Sequence, residues 1–305
     1  MTAIVVGVDG GGTKTRALVA DERGTAIVEV SGPGSAVRPG QAEQSADVIA
    51  AVVRDALAAS NMSHVTPKVV CVGVAGVGRE VERQALWQAL VSRDLAEEIV
   101  IHADAMVALD DAFAEGAGVL LIAGTGAVAF GRGPAGEFAR CGGWGPVFGD
   151  EGGGAWIGRR ALSVVSAAAD GREPETALTG AILTAAQVNE PMELIPWAAA
   201  ASAGQLATLA PPVLGAAEAG DRRAGALVNL AVEELAIHVR ALARKLFGDE
   251  RASLEVAFAG GLLGAKSLLR KRLVHRLKSA VPGAQILTTE VDAARGAVRS
   301  ALRYL

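Results

Sequence analysis

Short apolar runs alternate with amphipathic stretches from the start of the chain. Ile4 to Val8 and Lys14 to Ala20 read as strands joined by the turn Asp9-Gly10-Gly11-Gly12-Thr13. Ala26 to Val30 follows the turn signal at Arg23-Gly24, so the opening is predicted to be an antiparallel meander. Gln41 to Ala59 has helical spacing, with Val48, Val52 and Leu57 among its apolar positions. Val69 to Val74 predicts a strand, Val81 to Val91 a helix and Ile99 to His102 a strand leading into a helix near Asp104. The pattern then restarts: strands at Val119 to Ala123, Val128 to Phe130 and Glu137 to Cys141, again joined by tight turns. Two meanders, each opening with a Gly/Thr turn, suggest a duplicated domain, although no repeat of sequence is visible.

From Gly154 to Gly248 the chain is alanine-rich and helical, with Leu227, Ala231, Leu235, His238, Leu242 and Leu246 along one face. Leu254 to Ala259 predicts a buried strand, Gly264 to Ala280 a helix, Ala284 to Leu287 an edge strand and Asp292 to Arg303 a terminal helix. The fold class is α/β with mixed sheets. Leu194 to Ala217 carries no charge, but Pro196, Pro211 and Pro212 argue for buried helices rather than a membrane span.

Composition narrows the function. With 305 residues, 51% hydrophobic and 20% charged, the chain can bury cores for two domains. A net charge of −4 lacks the basic footprint of a nucleic-acid protein. The basic stretch Lys266 to Lys278 carries Leu269, Leu273 and Leu277 at helical spacing, so it reads as an amphipathic helix with a solvated face. Two cysteines, Cys71 and Cys141, form no CxxC pair or disulfide framework, which fits a reducing compartment. The stretch Ala3 to Val8 lacks the basic region of a signal peptide, and a cytoplasmic protein is expected.

Five segments carry chemistry. In Asp9-Gly10-Gly11-Gly12-Thr13-Lys14-Thr15, three consecutive glycines exceed the need of a hairpin. They let backbone N–H groups approach a polyphosphate, with Asp9 placed to orient a hydrated magnesium ion. Gly124-Thr125-Gly126 repeats this chemistry in the second meander. Ala259-Gly260-Gly261 follows a strand and offers a flat backbone surface for an adenine ring. Asp104, at the carboxyl end of a strand, is either a helix N-cap or a base for a substrate hydroxyl. Asp110 and Asp111 read as ordinary solvated residues. Cys141-Gly142-Gly143-Trp144-Gly145-Pro146-Val147-Phe148-Gly149-Asp150-Glu151-Gly152 frames an aromatic ring with glycines beside a carboxylate that suits sugar hydroxyls, although Asp150 or Glu151 could equally cap the next helix.

These segments, in this order, resemble the N-acetylglucosamine kinase branch of the actin/hexokinase/Hsp70 superfamily, within the BadF/BadG/BcrA/BcrD ATPase family. The resemblance covers nearly the whole chain and is most specific in the segment from Cys141 to Gly152. It implies two actin-like (ribonuclease H-like) domains with mixed five-stranded sheets flanking a cleft, residues 1–115 with 292–305 and residues 116–291, and a terminal helix that crosses back to the first. It implies ATP and Mg2+ as cofactors, an amino sugar phosphorylated at the 6-hydroxyl, and a cytoplasmic homodimer without nucleic-acid or membrane partners. Carried over by position, Asp104 is the catalytic base, and Asp9, Gly11, Gly12, Thr13 and Lys14 form the first phosphate loop, with Asp9 toward the metal. Gly124, Thr125 and Gly126 form the second loop, Gly260 and Gly261 the nucleotide segment, and Gly143, Trp144 and Asp150 contact the sugar. Ala36, Ala103 and Ala127 depart from the family pattern, where Asn, Thr or Asn, and Ser are usual, which puts the identity of the sugar in question.

Two other functions fit parts of the pattern. A dehydratase activator of the same superfamily would use both cysteines for a shared iron–sulfur cluster, yet Cys71 sits within an apolar strand. A non-catalytic sugar sensor would carry a DNA-binding segment ahead of the first loop, which begins at residue 9.

Overall fold

The computed structural model describes residues 3–305. They fall into two compact units, residues 3–116 with 291–305, and residues 117–290.

The first unit is built on β1 (Ile4–Gly10), β2 (Lys14–Asp21) and β3 (Ala26–Pro33), followed by α1 (Ala42–Ala59), β4 (Val69–Val74), α2 (Glu80–Val91), β5 (Glu98–Ala103) and α3 (Asp104–Phe113). Its sheet has the order β3-β2-β1-β4-β5, with the meander antiparallel and β4 and β5 parallel to β1. The continuous apolar runs of β1 and β4 are buried on both faces, as strands between two helical layers must be.

The second unit contains β6 (Gly118–Ala123), β7 (Ala127–Arg132) and β8 (Phe138–Gly142). Helices α4 (Gly154–Ala169), α5 (Leu178–Ala186), α6 (Leu194–Ala200), α7 (Ala203–Ala207), α8 (Ala210–Glu218) and α9 (Arg222–Phe247) follow. The unit closes with β9 (Leu254–Ala259), α10 (Leu268–Ala280) and β10 (Ala284–Ile286). The terminal helix α11 (Ala293–Leu302) belongs to the first unit, where it packs on α3, β1 and β4. The sheet order β8-β7-β6-β9-β10, with the same antiparallel and parallel senses, repeats the first unit strand for strand. The duplication is therefore real at the level of topology.

The predicted face of α9 is its buried face: Leu227, Ala231, Leu235, His238, Leu242 and Leu246 all lie in the core. The charge-free stretch divides into α6, α7 and α8, broken at residues 201–202 and 208–209, and no described helix is long and apolar enough to cross a membrane. The helix expected from Gly264 starts later. Gly261–Leu263 forms a single 3-10 turn, and the Ser267 hydroxyl accepts from Leu269 N–H to cap α10.

Asp110 and Asp111 correct the sequence reading, because both are buried rather than solvated. Asp111 accepts a bidentate pair from Arg295 at 2.6 and 2.7 Å, and Asp110 pairs with Arg303, so α11 is fastened to α3 by charge as well as by packing.

Candidate active site

In the first unit, three segments meet at the carboxyl ends of the strands. Asp9 and Gly10 end β1, and Gly11 N–H donates to Lys14 carbonyl at 2.9 Å to close the turn. Residues 34–37 then cross the strand ends. Ser35 and Ala36 N–H donate to Gly11 carbonyl, and Val37 N–H donates to Ala75 carbonyl beyond β4. Thr15, fully buried, anchors this crossing by donating to Pro33 carbonyl at 2.6 Å and lying 2.8 Å from the Ser35 hydroxyl.

A trans peptide points its C=O and N–H in opposite directions, so engaging Gly11 carbonyl turns Gly12 N–H away from the crossing segment. Gly12 has no left-handed φ, and a Cβ there would meet nothing within 4 Å. Neither fold nor turn geometry requires glycine at this position.

Asp104 follows β5, one strand beyond β4. Ala103 is the N-cap of α3, so Asp104 is the first helical residue rather than the cap, and its Oδ1 accepts from Ala105 N–H at 2.9 Å. The side chain opens to solvent yet is ringed by protein. Loss of hydration raises its pKa above the ordinary carboxylate value; Ala105 N–H opposes the rise and negative Asp9 adds to it. Like-charge repulsion from Asp9 is thus part of what disfavours the Asp104 anion. His102, just before Asp104, is held toward its neutral form by burial.

A cavity of about 320 Å3 opens beside the first loop, lined by Gly12, Gly34, Ala36, Arg38, Gln44 and Ser45 among others. The Arg38 side chain is exposed at its edge.

The second unit builds its loop from below. Gly154 and Ala155, the first residues of α4, donate to the carbonyls of Gly124 and Thr125 at 2.8 and 2.9 Å. The same peptide geometry turns the N–H groups of Thr125 and Gly126 away from the helix, where they can serve as donors to an anion. A Cβ at Gly124 would meet nothing within 4 Å, while one at Gly126 would collide with the Asp150 carboxylate.

Asp150, in the left-handed region at φ 59°, also accepts from Gly145 N–H at 3.1 Å. It therefore links the second loop to the Trp144 segment. It caps no helix: the N-cap of α4 is Gly153. Gly143 N–H donates to Ala127 carbonyl at 3.0 Å, which keeps the segment against β7. Trp144 is exposed, with the Arg140 guanidinium 5.1 Å from its ring centroid.

Gly260, at φ 89°, packs on Ala123 carbonyl, where any Cβ would collide. Gly261 beside it faces open space and lines a groove of about 700 Å3 with Leu262, Gly264 and Lys266 against Pro211 and Leu214 of α8. A 3-10 turn, and not the expected helix, follows the two glycines.

The cysteines sit apart, one in each unit. Cys71 is fully buried in β4, and burial pushes its thiol up to about 12. Cys141 lies half-buried in β8.

Among the described residues, no group of three or more His, Cys, Asp or Glu side chains could cage a metal. Asp9 alone fits a different mode: one carboxylate and several waters, with phosphate oxygens completing the shell of Mg2+. Sequence reasoning missed Arg16, which pairs with Asp9 at 3.2 Å, and Asp292, which pairs with Arg16, as well as Ser35 and the α4 N-terminus. The predicted hairpin kept Asp9 in the turn; β1 runs on to Gly10, and that longer strand sets Arg16 opposite Asp9.

The sequence profile of the BadF/BadG/BcrA/BcrD ATPase family matches residues 6–301. The chain is 31% identical to the N-acetyl-D-glucosamine kinase of Dictyostelium discoideum over 98% of each protein. It is 27% identical, over 96% of each, to the N-acetylmuramic acid/N-acetylglucosamine kinase of Clostridium acetobutylicum. A solved Chromobacterium violaceum structure, described as a candidate N-acetylglucosamine kinase, superposes with a TM-score of 0.79 at 29% identity and covers 99% of both chains. Both glycine loops, the Trp144–Asp150 segment and Gly260–Gly261 lie inside the matched span, and the chain belongs to the BadF/BadG/BcrA/BcrD ATPase family.

Proposed function

We propose that the protein is an ATP-dependent amino-sugar kinase that phosphorylates N-acetylglucosamine or glucosamine at the 6-hydroxyl. Asp104 carries the reading. A carboxylate with a raised pKa stands at the carboxyl end of a parallel strand, in the unit whose loop keeps Gly12 open to a ligand. Asp104 takes the proton of the sugar hydroxyl as its oxygen attacks the γ-phosphorus, and ADP leaves.

Phosphoryl transfer depends on positioning and charge stabilisation more than on covalent help, and backbone donors at Gly12, Thr125 and Gly126 supply both. Mg2+, when bound, neutralises charge on the phosphates, and Asp9 would orient it. Gly260 and Gly261 would support the adenine, while Gly143, Trp144 and Asp150 would hold the sugar. The same reading proposes a cytoplasmic homodimer, and sedimentation equilibrium tests the dimer.

Arg38 adds a substrate preference. At the edge of a polar cavity beside Ala36, it suits an amino sugar with an acidic group, such as N-acetylmuramic acid, a substrate named for the Clostridium relative. The test is coupled ADP release over N-acetylglucosamine, glucosamine and N-acetylmuramic acid, for wild type and Arg38→Ala. Loss of a hydrogen bond to a charged group costs about 1.5–3 kcal/mol, so Arg38→Ala should lower the kcat/KM ratio of acidic to neutral sugar about 10- to 150-fold. An unchanged ratio would show that this loop does not reach the substrate. No ADP release above the basal rate with any amino sugar would reject the kinase reading.

A further inference from the structure

Arg16 stands at the centre of an ion cluster that includes Asp9, and none of the roles above employs Arg16 itself. The β1–β2 register sets it directly across from Asp9. Its Nη2 donates to Asp9 Oδ2 at 3.2 Å and to Asp292 Oδ1 at 2.7 Å, its Nε donates to the same Asp9 oxygen at 3.4 Å, and Nη1 reaches Glu29 at 3.4 Å. Asp292 is itself fixed. It is the N-cap of α11, accepts from Ala294 N–H at 3.0 Å, and donates its own N–H to the buried Asp111 carboxylate at 2.7 Å.

The charges respond accordingly. Burial works against the Arg16 cation, but Asp292 and then Asp9 outweigh it and raise its pKa. Burial likewise works against the Asp292 anion, and Arg16 outweighs it and lowers the Asp292 pKa. One guanidinium faces three carboxylates, so the neighbourhood of Asp9 stays negative, as a divalent cation requires.

We propose that Arg16, braced by Asp292, is a positioning residue for Asp9. It occupies Oδ2 and leaves Oδ1 presented in a fixed orientation to the Mg2+ of the nucleotide. Lysine is a poor substitute, because only the planar fork of arginine holds both aspartates at once. Without it, Asp9 and Asp292 would face each other as like charges, and Asp9 would turn away from the loop. This inference rests on the reading of Asp9 as the carboxylate that orients the metal.

The test uses the full chain carrying Asp9→Asn, Arg16→Met, Arg16→Lys or Asp292→Asn. Three quantities are measured: the Mg2+ concentration that half-saturates turnover, the calorimetric Kd of ATP with Mg2+ and in EDTA, and the melting temperature. Arg16→Met should raise the half-saturating Mg2+ and the Kd of Mg·ATP about tenfold, by loss of a hydrogen bond to a charged group. The Kd in EDTA and the KM for the sugar should not move. Arg16→Lys should recover part of the loss. Asp292→Asn, which keeps a capping side chain, should shift the Mg2+ dependence in the same direction by less, and it decides the question if Arg16→Met does not fold. If Asp9→Asn leaves the Mg2+ dependence unchanged, the metal role of Asp9 fails. If Asp9→Asn moves it while Arg16→Met and Asp292→Asn leave it unchanged or tighter, the positioning role is overturned.

Discussion

At the scale of single residues, Asp104 and the open glycines separate function from folding. The Asp104 pKa is raised, so its ionised form at neutral pH opposes stability: its favourable contribution is present only below the ordinary carboxylate value and is lost as pH rises through the raised one. Asp104→Asn should therefore melt at or above the wild-type temperature at pH 7. As a base, Asp104 must be ionised, so kcat/KM should fall with acid along a limb centred above 3.8, the ordinary aspartate value. An acid limb at or below that value would mean another group sets the profile. The glycines give a paired test. Gly124→Ala meets no neighbour and should keep the wild-type melting temperature while weakening ATP binding. Gly126→Ala collides with Asp150 and should lower both. Gly124→Ala with wild-type ATP affinity would mean that the nucleotide does not approach this backbone.

At the scale of elements, α11 holds α3, and with it the first residue of that helix, Asp104. A Cβ at Gly296 would collide with Val107 carbonyl, so the two helices touch backbone to backbone. Arg295 supplies the polar link. Its side chain is 42% exposed while that of Asp111 is 1% exposed, so the arginine can return to water when its partner is lost but the aspartate cannot. Asp111→Asn is expected to cost about 1–3 kcal/mol, the range for weakening a charged buried hydrogen bond, and urea titration of the variant measures it. A variant as stable as wild type would show that the Arg295–Asp111 pair adds nothing to the hold on α11. The strands and hairpins of both units were legible in the sequence, because apolar runs bounded by glycine turns leave few other readings. The burial of Asp110 and Asp111 was not, since it depends on arginines more than 180 positions away, Arg295 in α11 and Arg303 just after it. The late start of α10 was nearly legible: Ser267 is the kind of residue that caps a helix, but the glycines before it drew the boundary too early.

At the scale of the whole molecule, two units repeat one strand order, and each presents a glycine loop after its first strand. The loops could be read from residue types, whereas their supports could not. Thr15, Ser35 and the first residues of α4 act through tertiary hydrogen bonds that no local pattern announces. Arg16 and Asp292 are separated by most of the chain yet meet at 2.7 Å.

The central claim is phosphoryl transfer from ATP to an amino sugar with Asp104 as base. It is tested most directly by 31P NMR of mixtures of ATP, Mg2+ and N-acetylglucosamine with the wild type and with folded Asp104→Asn. The account predicts one equivalent of ADP and a phosphate ester coupled to the sugar C6 protons, formed about 10²- to 10⁴-fold more slowly by the variant. A phosphate on another carbon, ADP without a sugar ester, or equal rates for the two proteins would contradict it.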